Sequence, residues 1–321
     1  MDNPLLPETR EALTLSIVCP MYNEAETVSP FLDRILPVLK QQCEDFEIIC
    51  INDGSTDDTL NSLMAARNKE RRIRVIDLSR NFGKEAALTC GIDHAVGKAV
   101  IPIDADLQDP PELIIEMVRL WREGFDVVLA QRTDRMTDSF MKRKTADWFY
   151  RIHNAISEPR MEPNVGDFRL MDRKVVEALK QLPERRRFMK GLFAWVGFRQ
   201  AVIPYTREAR HAGKGKFSGW RLWNFALEGI TSFSTAPLRI WFYIGLLVAT
   251  LAFIYGTFIV GRVIFLGRDT PGYASLVTIV LFLGGIQLIG LGVLGEYLGR
   301  IYNETKQRPV YIVRKDSGIG E

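Results

Sequence analysis

The first 130 residues alternate two hydrophobic patterns. Five short apolar runs rich in valine and isoleucine have the length of buried strands, at residues 15–19, 47–51, 74–78, 99–103 and 126–130. Longer stretches with a helical repeat separate them, and the fourth of these is predicted to begin at Pro110 with Asp109 as its N-cap. Strands that alternate with helices predict an α/β fold with a mostly parallel sheet covered on both faces.

Polar side chains follow each of these five strands at once. They lie at residues 20–24, 52–55, 79–84, 104–106 and 131–132. Because the carboxyl ends of parallel strands meet at one edge of a sheet, ligands bind in the crevice outside that edge. The pattern therefore predicts a binding site there.

The fourth of these loops suggests a metal ion. Asp104 and Asp106 are two residues apart, so on an extended segment both side chains share one face, and Gln108 adds an amide oxygen. An oxygen donor set without histidine or cysteine suits Mg²⁺ or Mn²⁺, which complete their coordination with substrate phosphates. In the alternative interpretation Asp106 and Asp109 only cap the following helix; Asp109 fits that role, which leaves Asp104 and Asp106 unexplained.

The chain has neither a G-x-x-x-x-G-K-[ST] loop nor a G-x-G-x-x-G loop after its first strand. Phosphates would then be held by the metal and by cationic side chains, among which Lys84 lies at the predicted edge. Asp53, in an Asn-Asp-Gly-Ser turn, is placed to accept a hydrogen bond from a nucleotide base. The alternative is an ordinary Asx turn in which Gly54 supplies a positive φ.

Two long uncharged runs follow the α/β pattern, at residues 240–261 and 270–295. Each reaches the roughly 20 residues that a helix needs to cross a bilayer. More basic residues lie before the first run and after the second than in the loop between them, which predicts that both termini lie in the cytoplasm. The chain starts without a basic and then apolar signal sequence, in agreement with a cytosolic first domain.

Basic and aromatic segments lie between the two regions. Lys142 and Arg143 belong to a basic run after the fifth strand, and a solvated face is its ordinary interpretation. Residues 219–236 carry tryptophans on an apolar stripe, which just before a membrane span favours a helix lying along the bilayer over a core helix. The glycine-rich segment 207–219, with Arg210 and Lys216, is either a lid over the phosphates or a connecting loop.

Composition narrows the class of protein. The chain of 321 residues has 42 Lys and Arg against 39 Asp and Glu, a net charge of +3, which is too balanced to indicate nucleic-acid binding. Four cysteines show no metal-binding or redox spacing and are predicted to be reduced core residues. Glycines in the second uncharged run permit close helix packing and make a homo-oligomer plausible.

Four motifs in order, PMYNE, NDGSTDDT, NFGKEAAL and DADLQDPPE, resemble those of family 2 glycosyltransferases, whose catalytic domain has the Rossmann-like GT-A fold. The likeness extends through GDFRLMDR, the two uncharged runs and GEYLGRIYNETKQRPVYIV to polyprenyl-phosphate glycosyltransferases, such as bactoprenol glucosyltransferases and dolichyl-phosphate mannosyltransferases. It implies a cytosolic GT-A domain at 1–218, an interfacial helix at 219–236, two transmembrane helices within 237–300 and a cytosolic tail at 301–321.

The resemblance also implies roles for individual residues. The nucleotide sugar would be bound by Pro20, Tyr22, Glu24, Asp53, Lys84, Asp104, Arg210 and Lys216, and the metal by Asp104, Asp106 and Gln108. Arg132 and Arg143, with Lys142, would bind the acceptor phosphate. Asp147 stands where the family often has a serine, which leaves a third phosphate contact open. Asp106 and Asp167 would be catalytic, Asp106 through the metal and Asp167 as a base or as an orienting group.

The implied reaction is the inverting transfer of a hexose, glucose from UDP-glucose first, to undecaprenyl or another polyprenyl phosphate at the bacterial inner membrane. GDP-mannose or another UDP-sugar remains an open alternative donor. A processive polysaccharide synthase would need a Gln-x-x-Arg-Trp motif and more membrane helices, and neither is present. A membrane protein that only senses a nucleotide sugar is the more distant alternative.

Overall fold

The computed structural model describes residues 15–42, 45–133, 162, 164–185, 187–206, 236–266 and 272–318. The predictions for Lys142 and Arg143, for the lid with Arg210 and Lys216, and for nearly all of the interfacial helix at 219–236 lie outside these residues.

Eight strands form one sheet in the described part of the chain. The strands are β1 Leu15–Met21, β2 Phe46–Asn52, β3 Ile73–Leu78, β4 Ala99–Pro102, β5 Val127–Arg132, β6 Val165–Asp172, β7 Gln200–Tyr205 and β8 Val313–Asp316. The helices are α1 Val28–Gln42, α2 Thr59–Lys69, α3 Lys84–His94, α4 Leu113–Arg122, α5 Arg173–Lys180, α6 Met189–Trp195, α7 Ala236–Leu266 and α8 Tyr273–Thr305.

The spatial strand order is β7-β5-β6-β4-β1-β2-β3-β8. Strands β1, β2, β3 and β4 are parallel neighbours, whereas β6 is antiparallel to both β4 and β5, and β8 is antiparallel to β3. The predicted five strands and the mostly parallel α/β sheet are therefore confirmed. Because β5 and β7 run in the same direction as β4, all of these strands end at one edge, and the antiparallel β6 begins there.

The core consists of two apolar layers, one on each face of the sheet. Along β1, Ile17 and Cys19 pack in the layer under α1, α2 and α4, whereas Val18 packs in the layer under α3 and α5. Successive strand residues point to opposite faces, so a strand buried on both sides is a continuous apolar run. Cys19, Cys50 and Cys90 are buried and unpaired, as predicted for core cysteines.

Two helices are long and apolar enough to cross a membrane, with candidate spans at Ile240–Phe258 and Phe282–Thr305. Their apolar side chains are exposed, for example Phe253 at 77% and Leu288 at 71%. A soluble protein would bury such a surface, because an apolar patch of this length costs free energy in water. In the described part of the chain, α7 and α8 are therefore two candidate membrane spans, in the region where the sequence predicts them.

The two long helices pack closely at one glycine. A Cβ atom placed on Gly290 of α8 would lie 2.0 Å from Nε1 of Trp241 in α7. A Cβ on Gly292, two residues on, would meet nothing within 4 Å. Small residues permit this kind of approach between helices in lipid, where no hydrophobic effect drives association. At least one glycine of the second span therefore serves packing within the chain.

We expect Gly290→Leu to weaken the α7–α8 contact, because its side chain must displace the Trp241 ring. The expected result is a lower melting temperature of the detergent-solubilised protein, measured by size-exclusion chromatography after heating. Gly292→Leu is the matched control and should leave the melting temperature unchanged. Equal melting temperatures for the two variants would contradict the packing role of Gly290.

Candidate active site

The loops after β1 and β2 are joined by hydrogen bonds at the edge of the sheet. The backbone N–H of Asn23 donates to Oγ of Ser55 (3.0 Å), and Oδ1 of Asn23 accepts from the N–H of Thr56 (2.8 Å). The next N–H along, that of Glu24, donates to Oγ1 of Thr59 (2.9 Å). Asn23 has a positive φ of 54°, which asparagine tolerates better than most residues. The structure thus brings Pro20, Tyr22 and Glu24 next to the Asn-Asp-Gly-Ser turn.

Asp53 joins the second loop to the third. Its Oδ1 accepts from the N–H of Phe82 (2.7 Å) and its Oδ2 from the N–H of Gly83 (2.9 Å). Burial raises the pKa of Asp53, and the two amide donors and Arg80 oppose that rise. Both oxygens already serve the protein, so a nucleotide base reaches this carboxylate only through its remaining lone pairs. The base-binding role of Asp53 stays a prediction.

Gly54 makes this contact between loops possible. Its φ is +63°, as the Asx-turn interpretation predicts, and a Cβ there would lie 2.3 Å from the carbonyl carbon of Arg80. Glycine adopts positive φ without a steric penalty and lets another backbone approach. The close approach of the two loops therefore depends on the missing side chain.

Lys84, the first residue of α3, lies between two carboxylates. Its Nζ is 2.8 Å from Asp104 after β4 and 2.7 Å from Oδ2 of Asp167 in β6. Asp167 reaches the edge because β6 is antiparallel and its first residues lie beside the ends of the parallel strands. The strand pattern placed Lys84 and Asp104 at this edge and the resemblance implied a catalytic Asp167; the tertiary structure brings the three side chains into contact.

Burial and neighbouring charges shift the pKa values of the two carboxylates beside Lys84 in opposite directions. Burial raises the pKa of Asp104, and the negative charges of Asp167 and Asp106 raise it further against the opposing effect of Lys84. For Asp167 burial acts in the same direction, but the ammonium groups of Lys84 and Lys190 outweigh it and hold its pKa at about 2. Asp104 is therefore a buried carboxylate beside two other carboxylates, and a further cation would offset part of this negative charge.

Two buried oxygens at this edge have no hydrogen-bond donor among the described residues. They are Oε1 of Gln108 and Oδ1 of Asp167. Buried acceptors are nearly always satisfied in folded proteins, so such atoms indicate a missing ligand. With Asp104 and Asp106 they are hard oxygen donors of the kind Mg²⁺ and Mn²⁺ prefer. Among the described residues, no group of three or more His, Cys, Asp or Glu side chains is arranged to hold a metal ion.

The backbone around Asp106 is not the extended segment that sequence reasoning assumed. Strand β4 ends at Pro102, and the chain then turns, with Leu107 at a φ of +55° although its side chain is buried. The N–H of Gln108 donates to Oδ1 of Asp106 (3.2 Å) within this turn. Asp104 and Asp106 are therefore brought together by a turn with a strained residue, not by strand alternation.

Arg132, at the end of β5, is held by two neighbours. Its Nε donates to the hydroxyl of Tyr205 in β7 (3.1 Å), and its Nη2 lies 3.8 Å from Oδ1 of Asp109. The Tyr205 hydroxyl donates in turn to Asp109. Burial alone would lower the pKa of Arg132, but Tyr205 and Asp109 raise it, so the guanidinium remains charged. This arrangement presents a fixed cation at the site edge.

The prediction that Asp109 caps the following helix is wrong. Helix α4 begins at Leu113, not Pro110, and no side chain caps its start. Asp109 is 3% exposed and accepts from Tyr205. A nearly buried carboxylate needs strong donors, and Tyr205 with Arg132 supplies them where a helix start would offer only backbone amides.

Sequence reasoning missed two residues that shape this edge. Tyr205 lies at the end of β7, whose mixed pattern QAVIPY did not indicate a strand. Arg169 in β6 is buried, donates to the carbonyl of Gly166 and stacks over the Phe193 ring at 4.1 Å. It thereby supports the Gly166–Asp167 backbone. Its position in the GDFR motif was the signal that sequence reasoning did not use.

The α/β part of the chain and the pair of long helices each match a known protein family model. Residues 16–180 match the family model Glycosyl transferase family 2, and residues 236–301 match the GtrB C-terminal hairpin. The first model covers nearly all of β1 to β6, and the second covers most of the two long helices.

The chain is also similar to whole proteins. An uncharacterised glycosyltransferase of Synechocystis sp. is 56% identical over 94% of this chain and 95% of its own length. A prophage bactoprenol glucosyl transferase homologue of Escherichia coli is 52% identical over 94% and 99%. The bactoprenol glucosyl transferase of Shigella phage SfV is 52% identical over 95% and 99%.

A solved structure, glucosyl-3-phosphoglycerate synthase from Mycobacterium tuberculosis with Mn²⁺, uridine-diphosphate-glucose and phosphoglyceric acid, is 22% identical over 67% of this chain and 76% of its own, with a TM-score of 0.47. That similarity is too low to carry an argument. The sequence matches are sufficient, because they span the sheet with its charged edge and the two long helices, and they show that the chain belongs to the family 2 glycosyltransferases.

Proposed function

We propose that this glycosyltransferase moves glucose from UDP-glucose to the phosphate of a polyprenyl carrier such as undecaprenyl phosphate. The observation that carries the proposal is the match, over nearly the whole length of both chains, to bactoprenol glucosyl transferases at 52% identity. The match includes the C-terminal hairpin, so the relatives share the part that would meet a lipid as well as the catalytic domain.

The donor half of the proposed site is the edge formed by the loops after β1 to β4. Pro20, Tyr22, Glu24 and Asp53 would surround the nucleoside. Asp104, Asp106 and Gln108 would hold a divalent metal together with the diphosphate, and the unsatisfied Oε1 of Gln108 supports that donor set. When bound, Mg²⁺ or Mn²⁺ supplies positive charge that stabilises the departing nucleoside diphosphate.

The acceptor half would lie around Arg132, which Tyr205 and Asp109 hold in place. Arginine suits a phosphate because its planar guanidinium donates two parallel hydrogen bonds. Lys142 and Arg143, beyond the described residues, would add to the same phosphate site. Arg210 and Lys216 would close over the donor from the segment between the domain and the hairpin.

The proposed reaction is a single displacement. A lipid phosphate oxygen attacks the anomeric carbon, the bond from that carbon to the donor's phosphate oxygen breaks, and UDP leaves with the electron pair. An α-linked donor then gives a β-linked lipid product. A phosphate monoester has a second pKa of about 6, so at neutral pH the nucleophile is already ionised and needs no strong base.

Asp167 fits the role of an orienting group better than that of a general base. A pKa of about 2 makes a carboxylate a weak proton acceptor, and its Oδ2 is already bound to Lys84 at 2.7 Å. The pair Asp167 and Asp104 would keep the Lys84 ammonium aimed at the place where the donor diphosphate lies. The other oxygen of Asp167, Oδ1, accepts no hydrogen bond from the described residues and is therefore open to a ligand.

The hairpin of α7 and α8 would anchor the enzyme in the bacterial inner membrane. More basic residues flank the pair of spans than lie in their connecting loop, and we infer from this that the catalytic domain and both termini are cytoplasmic. The segment 219–236 would lie along the bilayer surface and bring the site to the lipid headgroups.

We expect the full-length protein to transfer labelled glucose from UDP-glucose to undecaprenyl phosphate in the presence of Mg²⁺ or Mn²⁺. Asp106→Ala should lower the rate roughly 100-fold or more, because the charge of the leaving diphosphate loses its stabilising metal. The measurement is extraction and chromatography of the lipid-linked product, with GDP-mannose and other UDP-sugars in parallel.

Asp33→Ala, which removes an exposed carboxylate on α1, is the control and should keep wild-type activity. A product made only from another donor would overturn glucose as the sugar. Nucleotide binding without any product would show a sensor and would overturn the enzyme function.

We expect Asp167→Asn to lower kcat/KM for the lipid acceptor, while the acidic limb of its pH profile, near pH 6, stays in place. With a pKa of about 2, Asp167 is ionised throughout this range, so the limb reports the acceptor phosphate. The measurement is kcat/KM for the lipid acceptor between pH 5 and 8 in both proteins. Loss of the limb in the variant would instead identify Asp167 as the titrating base.

A further inference from the structure

The end of the chain returns from the hairpin to the catalytic sheet. Strand β8 begins a few residues after α8 ends and pairs antiparallel with β3. Two further backbone bonds extend the pairing, from the N–H of Ser79 to the carbonyl of Ile312 and from the N–H of Ser317 to the carbonyl of Val75, each 2.9 Å. We name residues 311–318 the C-terminal strap. It covers the edge strand next to the proposed donor loops.

Side chains fasten the strap firmly. Arg74 forms a two-point ion pair with Asp316, and the N–H of Val75 donates to Oγ of Ser317 (2.8 Å). At the other end, the hydroxyl of Tyr311 donates to Oδ2 of Asp93 in α3 (2.9 Å). A strand held by this many buried or partly buried bonds is a fixed part of the fold, not a loose tail.

One of these contacts leads into the donor site. Nε of Arg314 donates to Oδ2 of Asp77 in β3 (2.7 Å), and Nδ2 of Asn52 donates to the other oxygen of the same carboxylate (2.7 Å). Oδ1 of Asn52 in turn accepts from the N–H of Ser55 (3.3 Å), whose Oγ accepts from the N–H of Asn23. The bonds run from the strap through Asp77 to the loops after β1 and β2.

A second connection reaches the third loop. The bond from Ser79 to Ile312 fixes the first residue of the segment 79–83. The later amides of that segment donate to Asp53, and Lys84 follows directly. The strap therefore supports the loops after β1, β2 and β3, three of the four loops that the proposed function assigns to the donor.

Arg314 affects the donor loops through its contact with Asp77. The Asp77 side chain is only 7% exposed, whereas Arg314 is 55% exposed. Without Arg314, Oδ2 of the nearly buried Asp77 carboxylate loses its charged hydrogen-bond donor. The carboxylate must then move or bind another donor. Asn52 holds the same carboxylate, so its side chain is the first group that such a movement would displace.

We propose that Arg314 is a positioning residue of the donor site and that nucleotide affinity depends on the strap. The inference rests on the proposed function for the class of ligand, a uridine nucleotide. It also gives the hairpin a second connection to the catalytic domain, because the strap follows α8 directly. Glu304 near the end of α8 adds a nearby tether, since its carboxylate accepts from the N–H of Arg185 (3.0 and 3.1 Å).

The test is UDP binding to the full-length protein in detergent with Mg²⁺, measured by isothermal titration calorimetry. Arg314→Ala should raise the Kd for UDP roughly 5- to 20-fold, less than the direct loss of a charge-assisted hydrogen bond to the ligand, because Arg314 acts through Asp77 and Asn52. Arg314→Lys keeps a donor for Asp77 and should recover at least half of the loss on a logarithmic scale.

Lys315→Ala is the matched control. It removes the same charge from the same strand, and Lys315 is exposed and forms no ion pair in the described part of the chain. Its Kd should stay within 2-fold of wild type. Melting temperatures of all variants show whether each is folded at the temperature of the titration.

The outcomes separate the inference from the function on which it rests. A wild-type Kd in a folded Arg314→Ala variant, or equal effects of Arg314→Ala and Lys315→Ala, would overturn the positioning role. A loss that Arg314→Lys does not recover would also contradict it. Wild-type protein that binds no uridine nucleotide would overturn the proposed function itself.

Discussion

The ion pairs of Lys84 are the interaction on which this site depends. Asp104, Asp106 and Asp167 meet at one edge of the sheet, and three carboxylates at such a place repel one another and lose hydration. The Lys84 ammonium, within 2.8 Å of Asp104 and 2.7 Å of Asp167, offsets part of that repulsion. Lys84 thereby holds the side chains of Asp104 and Asp167 together at this edge, where the proposed function would place a divalent metal.

The sheet supplies the geometry that this interaction needs. Parallel strands bring the loops after β1, β2, β3 and β4 to one edge, and the antiparallel β6 brings Asp167 to them from the other direction. Loop-to-loop bonds then fix the arrangement: Asp53 holds the backbone of residues 82 and 83, and Gly54 permits the close approach. The C-terminal strap closes the β3 edge. An unpaired edge beside a ligand site would otherwise be exposed to pairing with other chains.

The hairpin and the sheet are one functional unit in this arrangement. Helix α8 leads directly into the strap, and its Glu304 binds the backbone of Arg185. To reach a lipid phosphate, the catalytic edge would have to stay at a fixed height above the headgroups. The strap and the Glu304 contact, both at the end of α8, restrict the movement of the domain more than a single linker would. Arg132, held by Tyr205 and Asp109, presents its charge at the same edge, where we propose that the acceptor phosphate binds.

The local sequence pattern determined most of the secondary structure and several residues of the proposed site. The five strands, the helices between them, the two membrane-length helices and the loops with Asp53, Lys84 and Asp104 follow from hydrophobic periodicity and turn residues, which are properties of neighbours in the chain. Only the tertiary structure decided that Asp167 joins Lys84, that Asp109 binds Tyr205 instead of capping α4, and that the polar segment Val313–Asp316 is a strand. These outcomes depend on strand order and on contacts between residues far apart in sequence, for example 96 positions for Asp109 and Tyr205 and 237 for Asp77 and Arg314, which no local window contains. Buried carboxylates need strong donors, and the donors that they bind here are brought near them only by the tertiary fold.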